Sequence, residues 1–172
     1  MTQKNTIRTE VVGNDTNRYL LRIEWDKTAP SALVIMLQAS KTNGISFDRS
    51  TNYCLSNLTR LGYGGVSIVN LFSNLNGEIG EADEAENLKV IGSALENVDE
   101  IIYAAGTGRD CNKKVIARKK KVMTLLKESG KKLLCIADSE GKQFYHPLCP
   151  KVATWILSEF EVTDNGEPGG QI

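Results

Sequence analysis

Two stretches of this chain carry the residue types from which a binding or catalytic site is made. The first lies directly after the apolar run 33–37 and holds Gln38, Ser40, Asn43, Asp48 and Arg49; the second is the single histidine, His146, set before Pro147. Between them, Asn70 and Phe72 close a second apolar run, and Gly106, Thr107 and Gly108 follow a third. A side-chain amide presents a donor and an acceptor together, which suits the edge of a planar heteroaromatic ligand. Phe72 offers a stacking face, and a glycine turn ahead of a helix suits a phosphate. A histidine near neutral pH donates a proton or stabilises an anion. Gathered at one place, these groups would form a pocket for a nucleobase with an attached phosphate.

Each residue also has a plainer use. Asn70 at a strand end can hydrogen-bond its own backbone. A lone Gly-x-Gly matches neither a dinucleotide fingerprint nor a P-loop, so Gly106 and Gly108 also fit a tight strand-to-helix turn. Asp48 either polarises a water or caps the helix that begins near residue 50. Pro147 holds His146 in an extended conformation, which serves a structural loop as well as a positioned functional group. The basic run 118–121 reads first as a solvated helix face, with nucleic-acid contact as the alternative.

The elements that must position these residues follow from periodicity. Residues 8–12 and 19–25 read as strands around a turn-rich cluster at 13–17, an antiparallel hairpin at the edge of a sheet. Run 32–37 is continuously apolar, the pattern of a strand buried on both faces, and 66–71, 100–105 and 132–137 read as the next three strands. Helical spacing appears over 50–61, around Leu88, Ile91 and Leu95, and over 112–129, with Gly62 and Gly130 as stop signals. Residues 152–160 read as a closing helix with Trp155 and Ile156 inward. Residues 163–172 are polar and rich in Gly and Pro and are expected to be a disordered tail after a single α/β domain over 1–162. Strands alternating with helices imply right-handed crossovers and a three-layer α/β/α sandwich around a parallel sheet. The loops after its strands share one edge, where ligands collect.

Composition narrows the partners. The 172 residues are 41% hydrophobic, enough for one sizeable core, and 21 basic residues balance 21 acidic ones, so no net field recruits nucleic acid or an anionic membrane. The cysteines, Cys54, Cys111, Cys135 and Cys149, form no Cys-x-x-Cys pair and have one histidine to help them, which argues against zinc. Cys54 and Cys135 fall in apolar patterns and suggest a reducing, cytoplasmic setting. Residues 1–10 are polar, so no signal peptide is expected, and no apolar run approaches the ~20 residues that span a bilayer.

Several motifs carry a resemblance. Arg18-Tyr19 with Trp25, Met36-Leu37-Gln38-Ala39-Ser40 with Asp48-Arg49-Ser50, Gly62-Tyr63-Gly64-Gly65 leading to Val69-Asn70-Leu71-Phe72, and Gly141 through His146-Pro147-Leu148 resemble an uncharacterised bacterial and phage domain of unknown function. That domain usually has Met-Leu-Asn-Pro-Ser and Asp-Pro-Thr, from which Gln38-Ala39 and Arg49-Ser50 depart. It is similar in turn to the uracil-DNA glycosylase superfamily. That likeness implies a four-stranded parallel sheet in the order 2-1-3-4. It also implies that Asn70 reads the Watson–Crick edge of a base, that Phe72 stacks on it, and that His146 stabilises negative charge on a departing base. The acidic or amide residue that such enzymes place after the first strand has Asn43 and Asp48 as its nearest substitutes here. Leu148 alone remains of the loop that intercalates into DNA.

The function expected from these readings is binding of a nucleotide or nucleobase-containing small molecule at the carboxyl edge of the sheet. Gln38, Ser40, Asn43, Arg49, Asn70, Phe72, Gly106, Thr107 and Gly108 would contact it. The alternative is an N-glycosidic bond hydrolase, with Asp48 and His146 catalytic. Nucleic acid is a second candidate partner. No metal, cofactor or membrane is expected, and the sequence sets no oligomeric state. A structural or partner-binding module is the third reading, to be preferred if the strand-end loops do not converge.

Overall fold

A computed structural model of the chain describes residues 6–42, 44–78, 84–107 and 112–169. The N-terminal segments form β1 (Arg8–Gly13) and β2 (Arg18–Glu24), which pair antiparallel around a turn held by Asn14, whose Oδ1 accepts from Thr16 N and Asn17 N. The apolar runs become β3 (Ser31–Gln38), β4 (Gly65–Phe72), β5 (Glu100–Tyr103) and β6 (Lys132–Ala137). Between them lie α1 (Arg49–Arg60), α2 (Glu84–Glu96) and α3 (Lys113–Ser129). The helix boundaries have local causes. Asp48 caps α1, and Asn112 caps α3 by accepting from Lys114 N at 2.9 Å. Gly130 ends α3 in the left-handed region, where a residue without Cβ is least hindered.

β4 pairs parallel with β3, β3 with β5, and β5 with β6, with Met36 opposite Asn70 and Ile35 opposite Tyr103. Because successive side chains leave opposite faces of a strand, β3 feeds two cores. Leu33 and Ile35 pack with Ile91 and Leu95 of α2 and Val122 and Leu126 of α3. Val34 and Met36 pack with Cys54 and Leu58 of α1 and with Trp155. Helices therefore lie on both faces, and strands covered on both sides must be apolar throughout.

The sheet is larger than the four strands that the resemblance implies. It has seven, in the order β1-β2-β4-β3-β5-β6-β7, with the parallel strands β4-β3-β5-β6 at its centre. The hairpin joins it because β2 pairs antiparallel with β4. The far edge is closed by β7 (Ile156–Glu159), antiparallel to β6. The expected helix over 152–160 is thus replaced by one 3-10 turn (Pro150–Val152) and a strand. Val152, Trp155, Ile156 and Phe160 fit a helical spacing, but Phe160 and Val162 also alternate, and the open edge of β6 decides for the strand. Trp155 is buried as expected, whereas Ile156 faces outward at 49% exposure. The expected disordered tail also needs correction. Residues 161–169 form a hairpin of β8 (Glu161–Val162) and β9 (Pro168–Gly169), and Val162 packs into the core with α3; only 170–172 of that tail lie outside the described residues. Among the described residues, no helix is long and apolar enough to cross a membrane.

Candidate functional site

At the carboxyl ends of β3 and β4 the apolar interior is interrupted by a buried cation. Arg18, the first residue of β2, is 3% exposed, and its guanidinium donates from Nη2 to Asn70 Oδ1 at 2.9 Å and from Nη1 toward Ser40 Oγ at 3.5 Å. Asn70 is completely buried on β4. Neither group is saturated: among the described residues Arg18 Nε and Asn70 Nδ2 have no hydrogen-bond partner, and each unmet buried donor costs about 1–3 kcal/mol. Burial pushes the Arg18 pKa below its usual value, and the charge of Asp48 opposes that shift.

Asp48 joins this cluster from the start of α1. Its Oδ1 accepts from Thr51 N at 2.7 Å, the N-cap reading of the sequence. Partial burial raises its pKa, but the Ser40 hydroxyl, the Thr51 amide and hydroxyl and the Arg18 charge outweigh burial and hold the carboxyl below its usual range. It is a carboxylate at neutral pH.

His146 reaches the same edge from the far side of the sheet. The loop after β6 is folded back by the Tyr145 N to Ile136 O bond at 3.1 Å and by Phe144, a non-glycine residue at φ +64°. Such a conformation persists only where surroundings fix it. Here the buried Phe144 ring stands edge-on to Phe160 with centroids 5.2 Å apart. His146 Nδ1 accepts from Leu148 N at 3.2 Å, so the proton of the neutral ring sits on Nε2. Burial lowers the His146 pKa against the opposing pull of Asp48, so the ring is neutral at pH 7. Beside it, His146, Thr107, Leu37, Tyr145 and Cys149 line an open cleft of about 760 Å³.

Gly106, in the loop after β5, packs against His146. It stands at φ +70°, and a Cβ there would lie 3.2 Å from His146 Cβ. Gly106→Ala therefore meets both backbone strain and the histidine, with an expected loss of about 1–2 kcal/mol. Thermal denaturation measures the loss, and the Hε1 resonance of the chain's one histidine should shift; if neither changes, Gly106 does not position His146.

The strand-end loops converge in part. Ser40, Asp48 and Asn70 meet through Arg18, and Gly106 and Thr107 meet His146. Gln38 is turned aside, its Nε2 donating to the Asn74 carbonyl, although its Oε1 is unpaired. Arg49 is exposed and outside these contacts. Asn43 and Gly108, like Cys111, lie outside the described residues. The expectation that Phe72 stacks on a ligand fails: the residue is 3% exposed on the opposite face of the sheet, with the Arg118 guanidinium carbon 5.0 Å from the ring centroid. The basic run is corrected with it, since Arg118 is buried rather than solvated, while Lys119 donates to the Gly106 carbonyl at 3.1 Å. Sequence reasoning did not place Arg18 in the site. Its signal was an arginine opening a strand whose next residues, Tyr19, Leu20 and Leu21, are buried. Among the described residues, no three of His, Cys, Asp and Glu are grouped as a metal would need.

The model of the family described as "protein of unknown function (DUF1643)" matches residues 18–148, from Arg18 to just past His146. No curated protein matches the chain. The chain belongs to the DUF1643 family.

Proposed function

We propose that this protein binds a nucleobase- or nucleotide-type small molecule at the carboxyl edge of its sheet. The observation that carries the reading is the concentration of directed donors there: Nε2–H of a neutral His146 in the cleft, and the unpaired Arg18 Nε–H and Asn70 Nδ2–H beneath the neighbouring loop. Donors without acceptors in a low-dielectric place favour a ligand rich in carbonyl, ring-nitrogen or phosphate acceptors. The similarity of the motifs to the uracil-DNA glycosylase superfamily adds the nucleobase. Asn70 then acts from below, by orienting Arg18, rather than by meeting the base itself.

The test is a thermal-shift panel of bases, nucleosides, nucleotides and short single-stranded DNA, followed by assay for released base. A ligand at ~100 times its dissociation constant adds about 2.7 kcal/mol to stability. His146→Ala should weaken the ligand so found about tenfold, the equivalent of one hydrogen bond at roughly 1.4 kcal/mol. Unchanged affinity in that variant, or no stabilisation by any nucleobase compound, defeats the reading. Stabilisation by DNA alone moves the substrate to the polymer.

A second reading, hydrolysis of an N-glycosidic bond, is favoured by one observation: Asp48 is ionised and acts electrostatically on His146. Asp48 would orient the water, and the Nε2–H of His146 would stabilise the leaving base. Free base in the recovered samples supports it; intact ligand leaves the protein a binder.

A further inference from the structure

Arg18 is a buried cation without a counter-ion in contact among the described residues. Its guanidinium offers five N–H donors, of which one makes a short bond to an amide oxygen and another a long one to a hydroxyl, while Nε has no partner. No carboxylate among the described residues forms an ion pair with it, and Asp48 acts on it only through the field. A charge kept out of water in this way is costly unless something pairs with it. The retained arginine, held in place by a second buried polar residue, Asn70, with an unmet donor of its own, points outward to an anion.

Arg18 also lines a wide depression beside the sheet edge. This cavity, of about 810 Å³, is lined by Arg18 together with Asp15, Lys41, Thr42 and Ser46. Lys41 is exposed and makes no ion pair among the described residues, so two cations face one opening against the single carboxylate of Asp15. A buried planar fork with a flexible ammonium at the rim is the pairing that recognises phosphate: the fork gives direction and the ammonium adds charge.

We propose that Arg18 and Lys41 form a phosphate-binding subsite, which takes the phosphoryl group of the nucleotide whose base lies toward His146. The assignment deepens, and for the identity of the whole ligand rests on, the nucleotide reading above. It makes Arg18 the residue that separates a nucleotide from its nucleoside, with Asn70 fixing the plane of the fork.

The experiment uses the full chain and calorimetric titration with inorganic phosphate and pyrophosphate, and in parallel with each nucleoside and its 5′-monophosphate. Wild type should bind pyrophosphate saturably, more weakly as salt rises. Lys41→Ala, a surface change that leaves the core untouched, should weaken it about threefold. Arg18→Lys keeps the charge but loses the fork and should weaken it tenfold or more. Nucleoside monophosphates should bind at least tenfold tighter than nucleosides. If neither anion binds, or if both variants bind them as wild type does, the subsite is wrong. If nucleosides bind and the 5′-phosphate adds nothing, the subsite fails while the nucleobase reading stands. If the anions bind through Arg18 and Lys41 but no nucleoside or nucleotide does, the subsite stands and the nucleotide reading falls.

Discussion

Arg118→Met should cost about 3 kcal/mol of stability, the largest effect expected from any single residue in the basic run of α3. The side chain is 4% exposed and holds three things at once: Nε donates to Glu84 Oε1 at 2.8 Å, Nη1 donates to the Leu71 carbonyl at 2.6 Å, and the guanidinium lies over Phe72. Met keeps the apolar stem and most of the volume, so the loss measures the charge rather than a cavity. It falls at the low end for a broken buried pair because the partners are shared. Asn87 also donates to the Leu71 carbonyl, at 3.2 Å, and Lys121 lies 3.0 Å from Glu84. Urea denaturation should show a lower midpoint with an unchanged slope, and melting should fall by roughly 6–12 °C. Lys120→Met, two residues along on the exposed side, should stay within about 0.5 kcal/mol. Equal effects from the two would mean that Arg118 behaves as a surface charge.

That contrast also shows what the sequence could reveal. β3 and β4 were legible because strands covered on both faces leave no room for polar residues, and Leu33 through Leu37 and Val66 through Leu71 are apolar apart from Ser67 and Asn70. The exceptions were informative: Asn70 is where the site begins. Asp48 was legible as a cap because N-cap chemistry is local. Arg118 was not, since a charge run looks the same whether or not one of its members turns inward, and only the arrival of Phe72 and the Leu71 carbonyl from β4 distinguishes it. Phe72 misled for the same reason. The sequence places it at a strand end, but which face it takes depends on α3. β7 was hidden because four residues, too short for a clear period, also fit a helix. Arg18 was visible as part of a motif, yet its role depends on Asn70 more than fifty residues away.

Asn57→Leu should cost about 3 kcal/mol and disturb the site from a distance. Asn57, 4% exposed on α1, donates from Nδ2 to the Tyr53 and Ala153 carbonyls, both at 3.1 Å, and through Oδ1 accepts from Trp155 N at 2.8 Å and Arg60 Nη2 at 3.2 Å. Leucine fills similar space but leaves Trp155 N and the Ala153 carbonyl buried without that partner, each worth about 1–3 kcal/mol. The bonds also join two parts of the site. α1 is capped by Asp48, and the segment it grips, Ala153 and Trp155, continues the loop from His146, whose carbonyl accepts from Cys149 N at 2.9 Å. Loosening that grip should let water reach the imidazole and relieve the burial that lowers its pKa. With one histidine in the chain, a proton NMR titration of Hε1 reads this directly: the midpoint should rise in the variant toward the ordinary value of 6.5. Because the folded protein then binds its proton at a higher pH, the variant should also lose less stability than wild type as pH falls through 6.5. A stability loss below about 1 kcal/mol, or a full loss with an unmoved His146 titration, would show that α1 and the histidine loop are placed independently.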